Sequence, residues 1–292
     1  MFLEQFIKYL TFEKRYSQHT IIAYKKDLLQ FQQHLTLSEI EIQLANHQTI
    51  RSWVIDLMDN DLDSRSINRK ISTLRSFYKF LQKEKIILDN PVQKVLAPKT
   101  AKKLPVFISD EKISNLLDSN IFNDDFEGLR DKLVIELLFG TGIRLSELLG
   151  LKTNNVYLIE RTIKVLGKRN KERIIPINLS LSNLLNQYIV EKNKQEYSNN
   201  PEVLIVTNTG TQGYPKLIYR IVQKYLSTIS TQEKKSPHIL RHSFATSLLN
   251  KGADINAIKD LLGHANLAAT QVYTHNSIER LKSIYKQAHP KA

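Results

Sequence analysis

A chain of 292 residues exceeds one ordinary hydrophobic core, so two domains are expected. Hydrophobic residues at 41% and charged residues at 24% fit a globular protein, and no apolar run approaches the roughly 20 residues of a membrane span. Without cysteine there is no disulfide framework, thiolate catalysis or cysteine-ligated zinc. A net charge of +13 favours a polyanionic partner, nucleic acid ahead of a membrane surface. The opening MFLEQFIKYLTFEKRY carries charge throughout and reads as no secretory leader, so a cytoplasmic protein is expected.

Residues 1–95 read as helices only. Beyond Thr20, a candidate N-cap, Ile21, Tyr24, Leu28, Phe31 and Leu35 recur at helical spacing. A later helix sets Ile67, Ile71, Leu74, Tyr78 and Leu81 on one stripe. Its other face carries Arg65, Arg69, Lys79 and Lys83, with Ser72 and Ser76 between them. Cations interleaved with small hydroxyls suit phosphate contact, although for one helix alone an ordinary solvated face is the plainer reading. Asp89-Asn90-Pro91 is the expected stop, because a residue before proline is pushed out of the helical region. Residues 96–106 form a linker stiffened by Pro98 and Pro105, with Lys102 and Lys103 placed to lie along a phosphate backbone.

Residues 107–292 read as a mixed domain. Ser109 is placed to cap a helix over DEKISNLLDS, and a second helix through LRDKLVIELLF is expected to end at Gly140. Gly142 then permits a tight turn into the short helix LSELLG. Strands follow at NVYLIE, TIKVLG and RIIPIN, separated by a turn at Glu160-Arg161 and by the basic tip GKRNKE. Helices run from there to the C-terminus, interrupted by a candidate strand at VLIVT. The fold class is mainly α with a small antiparallel β-sheet.

Six residues carry the chemistry. Arg144 follows GTGI at the start of a short helix, where free backbone N–H groups favour an anion. His238 and Arg241 stand three apart, on one face of a helix, so one turn offers a proton carrier and a bidentate fork. Lys168 sits at the hairpin tip beside Arg169, Lys171 and Arg173, all candidates for phosphate contact. His264 follows Gly263 at a helix end, and Tyr273 is one of twelve tyrosines. Taken singly, each has a bland reading: Arg144 a surface ion pair, His264 a helix cap, Tyr273 a packing residue. His238 and His242 also stand at a spacing seen in metal sites, but no third ligand is nearby, so no metal is expected. Together the six form an inventory for breaking a phosphodiester without metal.

In order, Arg in GTGIRLSELLGL, Lys in GKRNKER, then HxxRH, GH and VYTH resemble the tyrosine recombinases of the phage-integrase family. The resemblance spans essentially the whole chain and is strongest to the Xer type, above all in LLGHANLAATQVYTHNSIERLKSIYKQAHP. It implies a SAM-like helical core-binding domain and an α+β catalytic domain. It also implies that Tyr273 attacks the scissile phosphate and forms a 3′-phosphotyrosyl link. Arg144 and Arg241 would clamp the non-bridging oxygens, His238 take the tyrosine proton, His264 bond the phosphate and Lys168 act as general acid. No cofactor and no ATP are needed.

The implied partners are a double-stranded recombination site, a tetramer with itself or a paralogue, and a cell-division DNA translocase, with no membrane. The face of Ile278, Leu281 and Tyr285 fits a C-terminal helix exchanged between protomers or packed within its own chain. Chromosome-dimer resolution is the expected role. A mobile-element integrase or DNA invertase, a type IB topoisomerase and an idle DNA-binding regulator remain as alternatives.

Overall fold

The computed structural model describes residues 2–100, 107–167, 171–195, 197, 202–231, 235–263 and 285. The chain divides into two compact units, Met1–Leu104 and Pro105–Ala292. Among the described residues no helix is long and apolar enough to cross a membrane.

The first unit is built from α1 (Phe2–Lys8), which runs on through a widened π-type turn to Glu13, then α2 (Gln18–Leu37), α3 (His47–Asp59) and α4 (Ser64–Lys83). Each later helix is started by a polar cap. Ser17 takes the Thr20 amide at 3.4 Å, Asn46 those of Gln48 and Thr49, and Asp63 those of Arg65 and Ser66. The cap of α2 is therefore Ser17 rather than Thr20, because the extended backbone that a cap requires falls at Ser17. Ile67, Ile71, Leu74, Tyr78 and Leu81 of α4 are all buried, in one core with Leu28, Phe31 and Leu35 of α2 and with Ile50, Trp53 and Leu57 of α3. Helix α4 ends at Lys83, ahead of the expected stop at Asn90-Pro91. Lys85 takes a left-handed φ of 58°, which breaks the helix before proline is reached. Inside this unit Asp27 is fully buried and accepts from Lys70 Nζ (3.0 Å), Thr73 Oγ1 (2.9 Å) and the Arg69 guanidinium.

In the second unit α5 (Asp110–Asp118) is followed by α6 (Phe126–Thr141). Ser109 stands at the cap position of α5, but its side chain makes no capping bond. Helix α6 is buried along nearly its whole length, Arg130, Asp131 and Glu136 included, as befits the central helix of a core. It extends beyond Gly140 to Thr141, and Gly142 turns the chain at φ 59°. A short α7 (Leu145–Leu149) leads to strands β1 (Val156–Tyr157), β2 (Thr162–Leu166) and β3 (Glu172–Pro176), antiparallel in that order. Ile163, Val165 and Ile175 put one face of this sheet into the core. Then come α8 (Leu179–Lys194), α9 (Pro215–Ile229), α10 (Pro237–Asn250) and α11 (Ile255–Leu262). Segment VLIVT is no strand of the sheet; it is held by the isolated bridges Lys152–Val203 and Val206–Gln212 and by further bonds, among them Leu204 N–H to Leu151 O (2.7 Å) and Gly213 N–H to Ile205 O (2.9 Å). The small sheet among helices matches the mainly α class with one antiparallel sheet.

Candidate active site

Three segments of the second unit converge on the C-terminal end of α11. The last carbonyls of a helix lack partners within it and carry its negative pole. Here three consecutive ones are taken by three arginines. Arg173 Nε donates to Leu261 O (2.9 Å), Arg241 Nη2 to Leu262 O (2.7 Å) and Arg144 Nη2 to Gly263 O (2.7 Å). The sequence-predicted pair, Arg144 and Arg241, is thus brought onto one helix terminus from positions far apart in the chain.

Arg144 is held from both sides. Its backbone N–H donates to Glu147 Oε2 (2.8 Å), closing the first turn of α7, and its Nη1 donates to Glu147 Oε1 (2.7 Å). The side chain of Arg144 is still 29% exposed, which leaves the guanidinium reachable from solvent. Arg241, one turn into α10, also donates Nη1 to Gly142 O. Burial, followed by the charges of Arg144 and Arg173, lowers its pKa to about 10, so it stays a cation at neutral pH.

Gly142 is required where it stands. Its φ is left-handed, and a Cβ there would lie 2.5 Å from Phe244 Cδ1 and 2.8 Å from Leu262 Cδ2. Gly142→Ala is therefore expected to cost about 1–3 kcal/mol, read as a fall in the denaturation midpoint, and to slow any chemistry that needs Arg144 and Arg241 together.

Glu147 and Arg173 were not singled out by sequence as partners of this site. Glu147 is 4% exposed and takes both forks of Arg173, Nη1 to Oε1 at 2.7 Å and Nη2 to Oε2 at 2.8 Å. Burial would raise its pKa, but the bonds and charge of Arg173, and then those of Arg144, outweigh it and hold the carboxyl at about 2. Among the described residues the cluster sets three guanidiniums against this one carboxylate, a net positive site suited to a phosphodiester. Arg173, expected as a surface phosphate contact, is buried instead. Its side chain is 5% exposed, because β-strand alternation points it to the same buried face as Ile175. That parity was available in the sequence.

The remaining predicted residues divide by position. His238 is exposed in the first turn of α10, behind Pro237 at the helix start. Lys171 is exposed beside the hairpin closure, where Gly167 N–H donates to Lys171 O at 2.7 Å. Lys168, Arg169, His264 and Tyr273 lie outside the described residues, as do Lys102 and Lys103. On α4, Arg65, Arg69, Lys79 and Lys83 are all exposed, but Arg69 is also clasped by buried Asp27 and Lys83 pairs with Glu13 at 2.9 Å. Arg69 is thus partly a structural residue and not a free member of a solvated face. Tyr285 packs within this chain against Phe244, Leu248 and Leu262, and its hydroxyl donates to Gly140 O at 2.8 Å. No group of three or more potential metal ligands occurs among the described residues.

Comparison with known proteins identifies the family. Residues 107–280 match the phage integrase family, and residues 3–85 match the phage integrase N-terminal SAM-like domain. The chain is 36% identical to the tyrosine recombinase XerC of Chlorobaculum tepidum, over 99% of this chain and 94% of that one. To XerC of Bacillus subtilis (strain 168) it is 37% identical, over 100% and 97%. In fold it is similar to the XerH site-specific recombinase bound to a palindromic difH substrate, with a TM-score of 0.73 at 23% identity, over 96% and 83%. The family match over most of the chain, and end-to-end identity to XerC proteins, establish that this chain belongs to the phage integrase family as a Xer-type tyrosine recombinase, an enzyme that cleaves and rejoins DNA in site-specific recombination.

Proposed function

We propose that recombination by this enzyme runs through a 3′-phosphotyrosyl intermediate on Tyr273 and serves the resolution of chromosome dimers at cell division. The phenolic oxygen of Tyr273 forms a bond to phosphorus as the bond to the 5′-oxygen breaks. His238 accepts the tyrosine proton, and Lys168 gives one to the departing 5′-oxygen. Arg144 and Arg241 hold the non-bridging oxygens as charge builds on them, and His264 adds a hydrogen bond. The single observation that carries this reading is the meeting of Arg144 and Arg241 at the end of α11. A phosphate oxygen competes well for such guanidiniums, because charge-assisted bonds outweigh those to neutral carbonyls.

The ester keeps the energy of the broken bond, so a 5′-hydroxyl from the partner strand reseals it without ATP. The partners in this reading are a double-stranded recombination site, three further protomers of this chain or a paralogue, and a DNA translocase of the division machinery. The site of action is the cytoplasm. Arg65, Lys79 and Lys171, exposed on their elements, and Lys102, Lys103 and Arg169 track the phosphate backbone. Names of the relatives and the end-to-end similarity favour this role over that of a mobile-element integrase.

The test is a nicked duplex that carries the candidate chromosomal site and traps the cleaved strand, incubated without metal or nucleotide. A covalent adduct mapped to Tyr273 by mass spectrometry is the expected result, with none formed by Tyr273→Phe. Tight, specific binding without an adduct, even with the paralogue added, would sink the phosphotyrosyl reading.

A further inference from the structure

Arg173 occupies a place that none of the assigned catalytic roles uses. Its guanidinium lies between two glycines, and each immediately precedes a residue of the proposed machinery. A Cβ built on Gly167, the residue before Lys168, would lie 3.5 Å from Arg173 Nη1 and 3.4 Å from Glu147 Oε1. One built on Gly263, before His264, would lie 3.2 Å from Arg173 Nη1 and 3.3 Å from its Cδ. The same guanidinium takes both oxygens of Glu147, which in turn grips Arg144 by its backbone and its side chain. Its Nε closes the arrangement on Leu261 O. One planar group thereby bonds to α7 through Glu147 and to the end of α11 through Leu261 O, and lies beside Gly167 in the stem of the β2–β3 hairpin.

We propose that Arg173 is the positioning residue of this active site, holding the guanidinium of Arg144 through Glu147 while it packs beside Gly167 and Gly263, the residues that lead into Lys168 and His264. The inference rests on the roles given above to Lys168, His264 and Arg144. The physical case is that no smaller or single-point donor does the same work. The planar fork binds Glu147 through two parallel bonds while Nε points elsewhere; a lysine ammonium on a flexible stem has no such fixed spread. Among the described residues the charged groups facing Glu147 are Arg144 and Arg173, with Arg241 close enough to feel its charge. With Arg173 replaced by an apolar residue, buried Glu147 loses its strongest partner and its pKa rises. As pH falls through that raised value the carboxyl takes up a proton and releases Arg144.

The experiment uses the full chain and the nicked duplex that wild type cleaves, with single-turnover cleavage followed against pH and DNA affinity measured separately. Arg173→Met is expected to cleave about 10²-fold more slowly at saturating DNA with affinity unchanged, as befits misplaced groups rather than lost contacts. Its rate should also fall on the acid side, a limb absent from wild type and removed again in the Arg173→Met/Glu147→Gln double variant. Arg173→Lys keeps the charge and guards against a variant that fails to fold. It should show no acid limb yet remain slow. Wild-type rates in Arg173→Lys, or a loss in both variants that only follows the folded fraction with the wild-type pH profile, would overturn the proposal. An affinity loss equal to the rate loss would overturn it too, by making Arg173 a DNA contact. A wild type that forms no adduct at all removes the catalytic reading first and this inference with it.

Discussion

Arg241→Lys slows strand cleavage by about 10²–10³-fold while DNA binding stays intact. The expectation follows from geometry. In the resting enzyme the two Nη nitrogens of Arg241 point to Gly142 O and Leu262 O, so the plane of the fork is set before DNA arrives. An ammonium cannot reproduce two diverging donors, and it offers a phosphate a single point of charge. The surroundings add a second penalty. Burial and the nearby charges of Arg144 and Arg173 already bring arginine, with its high intrinsic pKa, down to about 10. A lysine in the same place starts lower and is pushed towards neutrality. The residual activity of Arg241→Lys should therefore rise as pH is lowered, until other groups intervene. Wild type, by contrast, should hold its rate through neutral pH and lose it as pH climbs towards 10. Single-turnover cleavage across pH 6 to 10, on the trapped duplex, reads both effects. A lysine variant with near wild-type rate would remove Arg241 from the clamp.

Glu147→Ala is expected to destabilise the protein by about 3–5 kcal/mol, because it strips the shared anion from two arginines, one of them buried. For a unit of this size that corresponds to a fall of roughly 6–20 °C in the denaturation midpoint. The acid side of wild-type stability tests the same group from another direction. The carboxyl goes from an ordinary value of 4.5 to about 2 in the folded state. A depressed acid stabilises the fold fully above its unfolded pKa, and that stability is lost as pH falls from 4.5 towards 2. The contribution is on the order of 3 kcal/mol. Urea denaturation of wild type and Glu147→Gln at pH 7 and at pH 3 should show the gap between them narrowing at the lower pH. A gap that is constant with pH would mean that the carboxyl is not held ionised by its arginines.

How much of this was legible beforehand depends on the kind of signal. The stripe from Ile67 to Leu81 was read from its period, and it is buried as read. Arg144 and Arg241 were selected by residue type and order, and tertiary structure brings them to one helix end. The end of α4 does not follow from composition, because Asn90-Pro91 is a strong stop whereas Lys85 in a left-handed turn leaves no compositional trace. Arg173 is hard to place for a different reason. Its neighbours Arg169 and Lys171 suggested one basic tip, and only the two-residue period shared with Ile175 separates the inward side chain from the outward ones. Glu147 was hidden by commonness. A glutamate three residues into a helix is usually a capping residue, and here it is that as well. Arg69 shows the limit of a face drawn from sequence, since nothing local reveals that Asp27 on another helix will claim it.

The end of α11 also bears on how this chain is able to change over evolutionary time. Leu261, Leu262 and Gly263 offer their carbonyls in sequence to arginines from β3, α10 and the turn before α7. A residue inserted or deleted within α11 would turn that terminus by about 100° and move it by about 1.5 Å, displacing all three recipients at once. Single substitutions among the three arginines would not act independently either, since each loosens the terminus that the other two hold. Length variation in this region should accordingly be confined to the segments flanking Ile255–Leu262, and a lineage that loses one of these arginines should tolerate loss of the others more readily than its ancestor did.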